Sequence, residues 1–349
     1  MKKDSSQPVN ALSRLKRLQA VFAEKKSLLI VMQDFPDPDA IASAAALREI
    51  ALRSGIQSSL ASGGIVSRAE NRALVRYLDL NIINLNKLDL ARYDLIAMVD
   101  TQPATGNNSL ASGYLPHIVI DHHPIHRATR RAQFHDIRRR YGATSTMLFE
   151  YMKAAGIKPS TPLATALTYG IRSDTSDLGR ETTAADISAF FELYVMANKR
   201  KLSRIEVERL PRPYFSLLAR GLANARLFGH CVITDLGEID NPDMIGEVAD
   251  LLLRNEESDW ALCFGIFETR MLLSIRTSDL QQDAGKVIAR IVGRRGSGGG
   301  HNTMAGGQIS VDGKNAAAVN ALKRDVIKRY LKILKQDGSS EEKLVKGEK

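Results

Sequence analysis

The chain has 349 residues, 44% of them hydrophobic and 25% charged, with a formal net charge of +10. That is the composition of an ordinary globular protein, with length enough for two domains. Its apolar runs fall far short of the ~20 residues that span a bilayer, which excludes a membrane-spanning chain from this reading.

The two cysteines, Cys231 and Cys263, stand far apart and away from every acidic cluster, so they read as small buried apolar residues rather than a disulfide. The start, Met1-Lys2-Lys3-Asp4, has no hydrophobic signal region, and a cytoplasmic protein is expected. The basic balance favours anionic partners such as nucleotides or nucleic acid.

In chain order, residues 1–8 are polar and read as a frayed end. Residues 11–25 have helical spacing through Leu12, Leu15, Leu18 and Phe22. Leu28, Leu29, Ile30, Val31 and Met32 form an apolar strand-like run. It ends in Gln33-Asp34-Phe35-Pro36-Asp37-Pro38-Asp39. An alanine-rich helix is expected over 39–54, its N-terminal dipole facing a metal and phosphate site. A further helix is expected over 71–80. Leu95, Ile96, Ala97, Met98 and Val99 form a second strand, ending in Asp100-Thr101. Ile118, Val119 and Ile120 form a third, ending in Asp121-His122-His123, with Pro124 closing it. Arg127, Arg130, Arg131, Arg138, Arg139 and Arg140 follow, either a solvated face or a collector of phosphates. Residues 143–155 read as a helix with Thr144, Ser145 and Thr146 available as caps. Leu167, Thr168, Tyr169, Gly170 and Ile171 read as a fourth strand, ending in Arg172-Ser173-Asp174-Thr175.

Residues 183–209 look helical, Leu210-Pro211-Arg212-Pro213 breaks the pattern, and a domain boundary is expected at 205–225. Beyond it, residues 227–235 and 260–268 are strand-like, 271–276 forms a hairpin partner, and 242–254 and 283–292 are helix-like. Residues 296–300 read as a flexible glycine loop next to His301, and 336–349 as a disordered charged tail.

Four strand ends therefore carry Asp37, Asp39, Asp100, His122 and Asp174. In parallel α/β sheets these ends line the ligand crevice. Carboxylates crowded there repel one another, and a divalent cation resolves the repulsion. Hard oxygen donors with one or two imidazoles suit Mn²⁺ or Mg²⁺.

In this order the motifs resemble those of the DHH family of phosphoesterases, and within it the nano-RNase and pAp phosphatase group. Asp37-Pro38-Asp39-Ala40 with Ser43 resembles the first motif, Asp100 the second, Asp121-His122-His123 the third and Ser173-Asp174-Thr175 the fourth. Gly298-Gly299-Gly300-His301, followed by Ala305-Gly306-Gly307, resembles the glycine-rich motif of the DHH-associated domain. The resemblance covers residues 25–330 or so. One departure stands out: Gln33 occupies the position where the first motif usually has a histidine, and an amide is a poorer ligand than an imidazole.

The resemblance implies an α/β protein. A parallel-sheet DHH domain covers 20–205, a linker 206–225, a smaller mixed α/β DHH-associated domain 226–332 and a charged tail 333–349. It implies one or two Mn²⁺ ions, with Mg²⁺ or Co²⁺ as substitutes, on Asp37, Asp39, Asp100, His122 and Asp174, and a weakened position at Gln33. His123 would neutralise phosphoryl charge and Asp121 would orient a histidine. Arg276, Gly298, Gly299, Gly300 and His301 would hold the substrate as the second domain closes. The activity implied is hydrolysis of short RNA, dinucleotides or pAp by activated water. A pyrophosphatase or exopolyphosphatase, and a catalytically weakened nucleotide-binding protein, are the alternatives. No membrane partner is expected, and a homodimer is compatible with the reading.

Overall fold

The first apolar run becomes one of two central strands in a parallel sheet. The structure, a computed structural model, describes residues 11–111, 113–300 and 302–345. The chain divides into two units, Met1–Arg209 and Leu210–Lys349. Among the described residues no helix is long and apolar enough to cross a membrane.

Unit one contains helix α1 (Ala11–Phe22), strand β1 (Ser27–Val31), α2 (Pro38–Arg53), β2 (Gln57–Ser62), α3 (Ala69–Tyr77) and β3 (Ile82–Asn84). It continues with β4 (Leu95–Val99), β5 (Ile118–Asp121), β6 (Phe134–Ile137), α4 (Thr144–Ala154), α5 (Thr161–Asp174), α6 (Ala184–Met196) and α7 (Lys199–Glu206). The six strands are parallel in the order β3-β2-β1-β4-β5-β6. The order reverses between β1 and β4, and ligands of open α/β sheets bind at the carboxyl ends beside such a reversal.

Side-chain alternation along β1 sorts the two faces. Leu28 and Ile30 join Leu47, Met147, Leu148 and Leu167 under the helices. Leu29 and Val31 join Ile96, Met98 and Val119 on the other face, under Leu85 and Leu90 of short 3-10 turns. Each such fully buried side chain contributes about 1.5–3 kcal/mol. Helix α2 starts where Pro38 fixes the first turn and the Asp37 side chain accepts from Ala40 N. Its buried alanines let it pack closely against α4 and α5.

Several expectations are corrected. Residues 167–171 are not a strand but part of α5. Leu163, Leu167 and Ile171, spaced by four, are all buried, which is helical periodicity that a five-residue apolar run conceals. Ser160 caps that helix, and Pro162 sits in its first turn. Residues 183–209 are helical as expected, in two helices, because Thr183 with Asp186 closes a capping box on α6 and Asn198 caps α7.

Unit two contains α8 (Arg212–Asn224), β7 (Arg226–Phe228), β8 (Cys231–Glu238), α9 (Met244–Leu252), β9 (Trp260–Phe267) and β10 (Arg270–Thr277). Then follow α10 (Ala284–Val292), β11 (Gly296–Gly300), β12 (Met304–Ser310), α11 (Ala316–Ile333) and β13 (Glu341–Lys343). The seven-stranded sheet runs β11-β12-β10-β9-β8-β7-β13, antiparallel except for the parallel pair β8 and β9. Helices α10 and α11 cover one face through Ile288, Val326 and Tyr330. On the other, α9 packs through Val248 and Leu252. Cys231 and Cys263 lie buried and free, one in each core.

The 206–225 segment read as a linker carries α8. Pro213 stands in the first turn of that helix, where proline starts a helix rather than breaking it. The glycine stretch 296–300 is not a loop but the edge strand β11. A Cβ at Gly296 would meet Gln308 O at 1.8 Å, and one at Gly307 would meet Ile288 and Val292 at 2.9 Å, so the glycines let β11, β12 and α10 approach closely. Within the tail, residues 341–343 pair with β7.

Candidate metal centre

Asp100 sits one residue past β4 with φ +57°, a left-handed conformation that aspartate tolerates better than most residues. Its N–H donates to Ile120 O at 3.0 Å, and its Oδ1 accepts from Thr144 Oγ1 at 3.0 Å. Asp39, in the first turn of α2, reaches across to the N-terminus of α4. Its Oδ2 accepts from Thr144 N at 2.7 Å and its Oδ1 from Ser145 N at 2.8 Å. The N-cap residue of α4 is Ala143, which has no capping group, so Asp39 supplies the cap from another helix. Gly170 permits this approach, since a Cβ there would meet Ser145 Oγ at 2.6 Å.

His122 is held at Nδ1 by the carbonyl oxygen of Tyr141 at 3.0 Å. A carbonyl only accepts, so Nδ1 carries hydrogen and Nε2 faces the acids. Nε2 lies 2.9 Å from Asp174 Oδ2, at the end of α5, and 3.6 Å from Asp100 Oδ1. Tyr141 is itself held by a buried polar group: its hydroxyl donates to Glu150, and Arg138 bonds both Asp136 and Glu150. Arg138 is therefore committed within the fold and does not collect phosphate, whereas Arg127, Arg130, Arg131, Arg139 and Arg140 are exposed.

His123 Nδ1 lies 2.8 Å from Asp121 Oδ1, and its ring is partly exposed. Thus Asp39, His122 and Asp174 bring ligand atoms within 4.8 Å of one another, and so do Asp100, Asp121, His122 and His123. Asp37 accepts from Ala40 N through Oδ1 and from Gln33 Nε2 through Oδ2, at 2.9 and 2.8 Å. Gln33 thus orients an acid at the position where an imidazole was expected.

In the second unit Arg276 is half-buried and bonded to Asp250 and Ser274, while Gly298, Gly299 and Gly300 lie in β11. His301 lies outside the described residues. Sequence reasoning missed Gln102 and Tyr141, which carry no motif, and took Thr144 for a cap rather than a partner of Asp100.

The electrostatics fit a divalent cation. Burial first, and then the charge of Asp174, raise Asp37 and Asp39, the latter to about 7. Burial with the charges of Asp39 and Asp37 raises Asp100 further above the carboxylate range. Burial alone would lower His122, but the charge of Asp174 and its hydrogen bond lift it to about 10. Burial opposes ionisation of Asp121 too, yet the charge and bond of His123 hold it low. Protons thus favour a donor set of hard oxygens and one imidazole nitrogen in the metal-free protein, and these groups would release them to hold a divalent cation.

Stability follows. A carboxyl raised from 3.8 to about 7 costs the metal-free protein stability as pH rises through that range. The contribution of His122, raised from 6.5 to about 10, is full below 6.5 and lost as pH rises to 10. Asp121 has the opposite sign and matters only in acid. Metal-free protein should therefore lose Tm as pH climbs from the carboxylate range towards 10, and Mn²⁺ at 100 times its Kd should restore about 2.7 kcal/mol. Thermal melts across pH, with chelator and with Mn²⁺, check this; a Tm that rises with pH in chelator contradicts it.

Residues 28–171 match the DHH family N-terminal domain, and residues 228–328 match the DHHA1 domain. The uncharacterized protein MJ1633 of Methanocaldococcus jannaschii is 34% identical over 340 residues, 96% of this chain and 69% of that protein. The chain belongs to the DHH family. This DHH protein is a hydrolase acting on phosphate esters. Its fold is similar to an exopolyphosphatase-related protein from Bacteroides fragilis, at TM-score 0.73 and 16% identity, covering 95% of this chain and 100% of that one. It is also similar to RecJ of Thermus thermophilus in complex with Mn²⁺, at TM-score 0.52 and 14% identity, covering 93% of this chain and 55% of that one. At those identities the two likenesses concern the fold.

Proposed function

We propose that this DHH protein hydrolyses short RNA, dinucleotides or pAp with a divalent cation, Mn²⁺ foremost and Mg²⁺ or Co²⁺ as substitutes. The observation that carries the reading is the convergence of Asp39, Asp100, His122 and Asp174 at the strand-order reversal, with His123 beside them. A cation held by those four residues supplies Lewis-acid activation of water and of a phosphoryl oxygen. Asp39 and Asp100 are anchored by Thr144 and Ser145, so the donor positions are set before substrate arrives. The Tyr141 carbonyl keeps the His122 Nε2 turned to the acids. Asp121 holds the His123 ring at Nδ1 and favours its protonated form, so the imidazolium keeps an Nε2–H to donate to a phosphoryl oxygen. The exposed arginines that follow add positive charge for an anionic substrate. The glycine edge strand of the second unit favours a nucleotide, since backbone N–H groups without side chains admit a phosphate or base closely.

A second reading, hydrolysis of pyrophosphate or polyphosphate, is favoured by the fold likeness to the exopolyphosphatase-related protein. Initial rates with Mn²⁺ on dinucleotides, a longer single-stranded RNA, pAp, a cyclic dinucleotide, pyrophosphate and polyphosphate separate the two. Preferential turnover of dinucleotides or pAp is expected. Turnover of pyrophosphate or polyphosphate alone overturns the nucleotide reading in favour of the second.

A further inference from the structure

We infer that Gln102 is a positioning residue for the hydrolysis, setting the ring of His123 through Asp121. It is 1% exposed and lies two residues beyond Asp100. All of its amide's hydrogen-bonding capacity is used. Nε2 donates to Asp121 Oδ2 at 2.7 Å and to Pro124 O at 3.1 Å. Oε1 accepts from His126 N and from Thr129 Oγ1, both at 2.7 Å. The orientation of the amide is fixed by chemistry as well as by fit: a backbone N–H only donates, and an ionised carboxylate only accepts.

Asp121 is therefore clamped from both sides. Gln102 takes one oxygen, and His123 takes the other through its N–H and Nδ1, at 3.2 and 2.8 Å. The relay Gln102–Asp121–His123 fixes the imidazole at Nδ1 on a side chain that is 35% exposed. The same amide ties the turn after Asp100 to the 3-10 turn Arg127–Arg131, because His126 and Thr129 belong to that segment. One buried side chain thus fixes the histidine and the start of the arginine run together. A purely structural glutamine needs only to be satisfied, whereas this one directs a donor at the carboxylate that orients a partly exposed imidazole.

The inference rests on the phosphoester-hydrolase reading of this site, so its test separates the two. The probe is bis(4-nitrophenyl) phosphate, a phosphodiester without a base, with the full chain and saturating Mn²⁺. Gln102→Met, which keeps the volume and removes every hydrogen bond, should lower kcat by about 10–100-fold with little change in KM. In a His123→Ala background it should cause no further loss, because both changes remove the same interaction. Gln102→Glu keeps the shape and the acceptor for His126 and Thr129, and serves if the methionine variant fails to fold; the same non-additive loss is expected. An additive loss, or an unchanged kcat, overturns the assignment. Imidazole ¹⁵N–¹H spectra of the Mg²⁺ form decide it without turnover. The wild type should show a downfield, slowly exchanging Nδ1–H of His123, assigned by its absence in His123→Ala, and Gln102→Met should lose it. Persistence of that resonance in Gln102→Met overturns the assignment. Its presence in a wild-type protein that hydrolyses no phosphate ester overturns only the functional reading.

Discussion

Asp100→Asn is expected to abolish hydrolysis and, at the same time, to make the metal-free protein more stable. Asp100 is 1% exposed, and Asp39, Asp37, Asp174 and Asp121 all push its charge out of favour. Asparagine has the same shape, tolerates the left-handed backbone at φ +57°, and its side-chain oxygen still accepts from Thr144 Oγ1. What disappears is a buried carboxyl that must hold a proton among other acids in the metal-free fold, and relieving such a strained functional position gains about 0.5–2 kcal/mol. What also disappears is an anionic ligand, so the stabilisation by Mn²⁺ should shrink with the activity. Melts with and without Mn²⁺, alongside the rate, check both halves. A variant less stable than the wild type in chelator contradicts the crowding argument.

Asp174→Ala should carry the second large effect. Its carboxylate ends α5 and pairs with His122 Nε2 at 2.9 Å, and its side chain is 20% exposed, so truncation opens little cavity. The fold should survive while kcat falls by at least about 10²-fold, the lower end of what losing one transition-state electrostatic contact costs. His122 loses its nearest anion, and the ring once paired with Asp174 keeps only Asp100 and Asp39 among the proposed ligands. Rates at saturating Mn²⁺, with circular dichroism as the control for folding, read this out; hydrolysis at the wild-type rate would remove Asp174 from the site.

The site lay open to sequence reading because three of its strands are short apolar runs that end abruptly in acids. Leu28 to Val31, Leu95 to Val99 and Ile118 to Ile120 are buried on both faces of a parallel sheet, so nothing polar interrupts them. Asp174 was reached through the wrong element. A strand end and a helix end both leave the next residue at the rim, so the acid is placed there although Leu163, Leu167 and Ile171 belong to a helix. Strands β2 and β6 escaped, since Gln57-Ser58-Ser59 and Phe134-His135-Asp136 lack a continuous apolar run. Gln102 and Tyr141 had no signal at all: one acts through an amide and the other through a backbone carbonyl, and neither role selects a spacing. Pro213 misled because proline both ends helices and begins them, and only the residues after it tell which.

Whether these residues hold the cation is read from diffraction by crystals grown with Mn²⁺, recorded at the manganese absorption edge. An anomalous peak within bonding distance of Asp39, Asp100, His122 and Asp174 is the predicted result. Manganese bound elsewhere, with those four side chains still paired to one another, would mean that they are not its ligands.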